Sequence, residues 1–176
     1  MTEDQLIWIA QLKKGNDLAA YNIYNQYVKA MYNTAIRISG DSEATKDLVQ
    51  EAFIKAFKKI SALKDPRSFP GWLKQIVVNT ALEHVRKKKI QFEEVREDHS
   101  WEEELTDEAL ISDQDLHQAI KSLPHGCRTV LSLHLFEEMK HSEIAEALNI
   151  SVSTSKTQYR HAKKLLKEKL AHYYES

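Results

Sequence analysis

Hydroxyl and cationic side chains recur at Ser153, Thr154, Lys156, Thr157, Arg160, Lys163 and Lys167, a spacing that gathers them on one outward stripe if the segment is helical. Hydroxyls near the start of such a helix and cations further along suit the base edges of a major groove and its flanking phosphates. Bond-breaking chemistry finds no such grouping. Eight histidines, at 84, 99, 117, 125, 134, 141, 161 and 172, stand at neither Cys-x-x-Cys nor His-Glu-x-x-His spacing. His125 and Cys127 lie two apart, which does not by itself build a zinc site, and Cys127 reads as a small buried residue. A glycine-rich phosphate loop is absent from the sequence. The chain is therefore expected to be no enzyme and to need no metal or other cofactor.

The stripe needs a frame. Ile144, Ala145 and Leu148 mark the apolar face of one short helix, and Val152, Ser155, Tyr159, Ala162 and Leu166 mark that of a longer one. Asn149 falls where the backbone must reverse, and asparagine tolerates the left-handed conformation better than most residues. This is helix-turn-helix grammar. An ordinary bundle helix with a solvated lysine face shares the pattern, so the rest of the chain must decide between them.

With 176 residues, only four glycines and three prolines, and strongly periodic segments, the chain is expected to be all-α. A single cysteine excludes an internal disulfide framework, and no apolar run approaches the length needed to span a bilayer. The beginning, MTEDQLIWIA, is acidic where a signal peptide would be basic, which predicts a soluble cytoplasmic protein. The net charge of −1 hides a sharp partition. Residues 1–92 carry 15 Lys and Arg against 9 Asp and Glu, residues 93–113 carry 1 against 10, and residues 114–176 carry 9 against 7. A nucleic acid responds to such local charge, within a Debye length, rather than to the total.

That partition matches the helical punctuation. Thr2 and Gln5 form a capping box for a first helix ending at Gly15; Asn16 or Asp17 caps a second, with Leu18, Tyr21, Val28, Met31, Ala35 and Ile38 before Gly40. Asp41 or Ser42 opens a third, with Leu48, Val49, Ala52, Phe53, Ala56, Phe57 and Ile60 inward. Pro66 and Pro70 enforce a loop, and a fourth helix is expected from about Gly71 or Trp72 to Lys89. Two small helical domains, 1–92 and 114–176, are thus joined by an acidic linker, 93–113, whose few apolar residues cannot make a core. The second domain is read as helices over about 114–123 and 127–137, followed by the helix-turn-helix.

Three features in fixed order, DLVQEAFIKAFKKI, then a loop and GWLKQIVVNTALEHVRKKK, then the terminal helix-turn-helix, together resemble bacterial RNA polymerase sigma factors of the extracytoplasmic-function type. The resemblance spans essentially the whole chain. It implies a subunit that binds core RNA polymerase, directs it to a two-part promoter and helps to open the DNA. Asp47, Leu48, Gln50 and Glu51 match the family's core-binding motif, with Leu48 in the buried seam and the other three outward. The loop SALKDPRSFPG matches the element that captures a base from the melted minus-ten strand, for which Lys64, Arg67, Ser68 and Phe69 are the candidates. Phe69 reads equally as a brace against Trp72. Asn79 matches a promoter-facing position, and Arg86 and Lys87, with Lys88 and Lys89, extend the basic surface.

For the minus-thirty-five element the candidates are Ser153, Thr154, Lys156, Thr157, Arg160 and Lys163, the last directed to phosphate. Ser155, Gln158 and Asn149 depart from the aliphatic residue, arginine and glycine common in the family. The charge of the acidic linker alone reads as a solvated spacer, whereas the resemblance implies that it threads the polymerase's basic channels; the resemblance also implies that an anti-sigma factor masks these surfaces. Trp101 either anchors that linker or touches a domain. Two rival readings are a stand-alone helix-turn-helix regulator, to which the +2 of the last block is poorly suited, and a helical protein adaptor, which leaves the cationic stripe unexplained.

Overall fold

A computed structural model of the chain describes residues 2–88 and 112–171. Among these residues there are eight α-helices and no strand, and the chain divides into two compact units, Met1–Lys87 and Lys88–Ser176. The acidic segment 93–113 lies, apart from its last two residues, outside the described residues, as does Trp101.

The first unit begins with α1 (Glu3–Leu12), whose capping box forms as expected: Gln5 N–H donates to Thr2 Oγ1, and Thr2 N–H donates to Gln5 Oε1. The long α2 (Asp17–Ser39) starts at Asn16, whose Oδ1 accepts from Ala19 N–H, and stops at Gly40, at φ 71°. A side chain there would meet the left-handed penalty that glycine escapes. Asp41 then caps α3 (Ser42–Lys58) by accepting from the amides of Glu43 and Ala44. At this corner Thr45 Oγ1 donates to the Asp41 carbonyl at 2.6 Å, so its 2.6 Å bond with buried Ser39 must be donated by serine.

After α3 the chain makes two 3-10 turns, Ile60–Ala62 and Pro66–Ser68, and enters α4 (Phe69–Lys87). The fourth helix thus starts earlier than expected, because Pro70 lies in its first turn, where the missing N–H has no intrahelical partner to lose. Phe53, Phe69, Leu73 and Val77 meet Ile9 and Ile23 in one core. Phe69 is completely buried, its ring centroid 5.6 Å from that of Tyr27 and 6.0 Å from that of Trp72. Leu18 and Tyr21, assigned to the apolar face of α2 by periodicity, are instead 68% and 63% exposed. Ala19 and Ile23 are the buried residues of this stretch, so Leu18 and Tyr21 lie on its uncovered face.

The second unit contains α5 (Asp113–Lys121), α6 (His125–Leu135), α7 (His141–Leu148) and α8 (Val152–Leu170). Ser112 caps α5 by accepting from Asp115 N–H. Arg128, buried on α6, donates from one nitrogen to the carbonyls of Lys121 and Leu123, satisfying the end of α5. Burial pushes its guanidinium pKa below the ordinary value, yet arginine keeps its charge. Ile120, Leu123, Cys127, Leu131 and Ala162 form the apolar centre. Phe69→Ala is expected to lower the unfolding free energy of the first unit by about 3–5 kcal/mol, measured by chemical denaturation; a loss below 1 kcal/mol would mean that the ring is not a core element.

Candidate functional site

On α3 the buried seam of Leu48, Val49, Ala52, Phe53 and Ala56 turns the opposite side outward. Asp47, Gln50 and Glu51 are all exposed there, while Leu48 is buried at 7% and serves the surface only by fixing the helix. Two residues of this stripe escaped the sequence reading. Ile54 is 54% exposed, one helical turn beyond Gln50 and Glu51, so an apolar side chain sits beside the polar ones. Lys55 donates its charge to two helices at once: its Nζ lies 2.8 Å from Glu51 and 3.3 Å from Glu83 on α4, with Thr80 Oγ1 at 3.4 Å. The hydrogen bond to Glu51 raises the Lys55 pKa, against partial desolvation, with Glu83 adding to the rise. The spacing of Glu51 and Lys55 was visible in the sequence, whereas the tie to Glu83 needed the fold.

The loop before α4 presents Lys64, Arg67 and Ser68 to solvent. Its shape is set locally, since Asp65 Oδ1 accepts from Arg67 N–H at 2.9 Å and Ser68 Oγ donates to the Asp65 carbonyl at 2.7 Å. From the other side Lys13 Nζ donates to the Leu63 carbonyl at 2.6 Å. Phe69 does not join the exposed set. Its ring is enclosed by Tyr27 and Trp72, so the bracing reading holds and the ring offers no stacking face to a base; burial also raises the Tyr27 pKa. Asn79 is exposed on α4, its Oδ1 accepting from Gln75 Nε2 at 3.2 Å, and Arg86 and Lys87 are exposed in the last turn.

In the second unit α7 ends on Asn149 at φ 56° and ψ 48°, the left-handed conformation expected of the reversal. Ile150 N–H reaches back to the Ala145 carbonyl at 3.0 Å and closes the turn. Ser151 caps α8, its Oγ accepting from Thr154 N–H at 2.9 Å and also bonding Thr154 Oγ1 at 2.8 Å. Thr154 thus supports the cap. Ser153, Lys156, Arg160 and Lys163 are exposed, and Thr154 and Thr157 are half-buried. Lys163 Nζ stands 5.6 Å above the Tyr159 ring.

On the inward side of α8, Ser155 is buried as the periodicity places it, at 0%, but Val152 is 42% exposed and Gln158, outside that reading, is buried at 2%. Gln158 Oε1 accepts from Cys127 Sγ at 3.1 Å, so this glutamine faces α6 rather than DNA. Among the described residues no group of three His, Cys, Asp or Glu side chains could hold a metal, and no helix is long and apolar enough to cross a membrane.

Comparison with known proteins matches the Sigma-70 region 2 family to residues 23–90 and the Sigma-70, region 4 family to residues 113–166. The chain is 31% identical over 177 residues to the ECF RNA polymerase sigma factor SigW of Bacillus subtilis, covering 92% of this chain and 94% of that one. It is 30% identical over 149 residues to the RNA polymerase sigma factor SigV of the same organism, covering 79% and 83%. Its fold is similar to the solved structure of CnrH in complex with the cytosolic domain of CnrY, with a TM-score of 0.50, 20% identity, and 96% and 97% of the two chains covered.

Asn149→Val, which places a β-branched residue in the left-handed turn, is expected to destabilise the second unit by about 1–2 kcal/mol, with Asn149→Gly near neutral. Thermal unfolding monitored by circular dichroism checks both; equal stability of the two variants would remove the turn argument.

Proposed function

The chain belongs to the extracytoplasmic-function group of RNA polymerase sigma factors and directs transcription initiation by that enzyme, and from this premise we propose how its residues divide the work. The first unit, with residues 1–92 as its functional extent, carries the core-polymerase surface on α3. Asp47, Gln50 and Glu51 meet cations of the polymerase, and Leu48 holds the helix in register behind them. Lys64, Arg67, Ser68, Asn79, Arg86 and Lys87 then form the surface for the minus-ten strand. Supporting this are exposed cations at both ends of α4, on the loop before it and in its last turn, where phosphate contacts release counterions.

Residues 114–176 read the minus-thirty-five element through α8. Ser153, Thr154, Lys156, Thr157 and Arg160 face the groove, and Lys163 meets phosphate. The acidic segment 93–113 couples the two and favours the positively charged channels of the polymerase. The protein catalyses nothing itself, requires no cofactor and acts in the cytoplasm, where polymerase and promoter are. An anti-sigma protein covering the exposed surfaces is its regulatory partner.

The observation that carries this reading is the presence in one chain of an outward polar stripe on α3 and a helix-turn-helix whose exposed face is hydroxylic and cationic. Run-off transcription with purified core enzyme and a genomic promoter library tests it; absence of start-site selectivity would defeat it. Glu51→Lys is expected to weaken core-enzyme affinity by about tenfold or more, measured by fluorescence anisotropy, with unchanged affinity counting against the α3 surface. Arg160→Ala is expected to cost about 1–3 kcal/mol at promoters requiring the upstream element. Abortive-initiation assays decide this, and equal loss at promoters lacking the element would contradict the assignment.

A further inference from the structure

Two of the histidines that make no metal-binding spacing in the sequence meet face to face in the second unit. His134 lies in the last turn of α6 and His141 opens α7; their ring centroids are 4.5 Å apart and their planes 14° from parallel. Tyr159 of α8 closes the cluster edge-on, its centroid 4.6 Å from that of His134 and 5.5 Å from that of His141. The Nδ1 atoms of both rings are engaged. That of His134 donates to the Met139 carbonyl at 2.8 Å, and that of His141 lies 2.9 Å from Ser155 Oγ. Ser155 is fully buried and directly precedes Lys156 of the outward stripe, so this bond joins α7 to the hidden side of the DNA-facing helix.

When His141 is neutral with its proton on Nε2, its Nδ1 can accept the Ser155 hydroxyl proton across the 2.9 Å separation. That arrangement satisfies a buried hydroxyl and keeps the stacked rings from carrying two charges. The surroundings oppose a proton on His141. The ring is partly buried, it lies against His134, Lys156 of α8 acts on it, and it stands at the first position of α7, near the positive end of the helix dipole. Its pKa is accordingly held below the ordinary 6.5, by burial first and then by His134 and Lys156. Of the remaining charged groups, Glu143 on α7 commits a carboxylate oxygen to Lys140 N–H at 2.6 Å, and Lys163 on α8 lies over the Tyr159 ring. Glu137 and Glu138 belong to the turn between α6 and α7.

We propose that neutral His141 is a positioning residue for the recognition helix, accepting from Ser155 across a histidine stack, so that acidification loosens the seat of α8 and weakens reading of the upstream promoter element. The inference rests on the assignment of α8 to the minus-thirty-five element and adds to it a residue and a mode of regulation. A histidine whose folded-state pKa is depressed contributes stability that is complete above 6.5 and is lost as pH falls through that lower folded value. The direction is therefore fixed: selectivity declines on the acid side.

The test combines the full-length chain with core RNA polymerase and compares a promoter that requires the upstream element with one that does not, from about pH 7.5 to about pH 5.5. Wild type is expected to lose that ratio progressively toward the acid end, as His141 takes up its proton. His141→Asn, which keeps an acceptor but cannot titrate, is expected to hold the ratio nearly constant. A variant curve parallel to wild type overturns the proposal. Proton NMR of the full-length chain gives a second reading that survives misfolding of the variant: the His141 imidazole should titrate below its ordinary range, with the α8 amides shifting in step. Titration at or above that range, or α8 amides indifferent to it, overturns the proposal equally. If wild type at about pH 7.5 ignores the upstream element, the assignment of α8 fails instead, and the NMR titration alone decides the role of His141 in seating that helix.

Discussion

The burial of one narrow seam on each interface helix fixes what its other side can meet. On α3 the seam runs through Leu48, Val49, Ala52, Phe53 and Ala56, and on α8 through Ser155, Gln158 and Ala162. An α-helix turns about 100° per residue, so sliding the seam by one position would carry Glu51 or Lys156 toward the core. Burying such a charge without a partner costs several kcal/mol, far more than the surface pairs on these helices return. The polar stripes are thus held outward by the buried seams behind them, apolar on α3 and partly polar on α8.

Apolar packing alone leaves a helix some freedom to roll, and in both units buried polar groups remove it. Ser39 must donate to Thr45 because Thr45 donates to the Asp41 carbonyl, which pins α3 to the end of α2. Arg128 and the Cys127–Gln158 contact play the same part around α6. Each such group finds its partner in only one register, and leaving it unsatisfied would cost about 1–3 kcal/mol. Lys55 adds a weaker tie between α3 and α4, partly exposed and therefore worth tenths of a kcal/mol.

Features governed by neighbours in sequence were legible before the fold was known. The capping box at Thr2 and Gln5, the caps at Asn16 and Asp41, the stop at Gly40 and the reversal at Asn149 all depend on residues within a turn of one another. Helical periodicity also separated the outward stripe of α8 from its seam. It failed at Leu18 and Tyr21, where the neighbouring Ala19 and Ile23 take the buried face, and at Val152, which stays 42% exposed. It misjudged the start of α4, since Pro70 begins a helix as readily as it breaks one. Phe69 was ambiguous because an aromatic ring in a loop serves a core or a ligand equally well, and only its neighbours Tyr27 and Trp72 decide. The pairing of His134 with His141 was invisible, being created by the angle between two helices.

The 2.6 Å bond from Lys13 to the Leu63 carbonyl has a consequence for biosynthesis. Its two ends are 50 residues apart in the chain, and ten-residue α1 is too short to persist alone in water. At a ribosomal pace of about 5–20 residues per second, the amino-terminal segment waits for several seconds before its acceptor emerges from the exit tunnel. The core that buries Ile9 and Leu12 draws on α3 and α4 as well as α2, so α1 gains its full cover only once those later helices have been made.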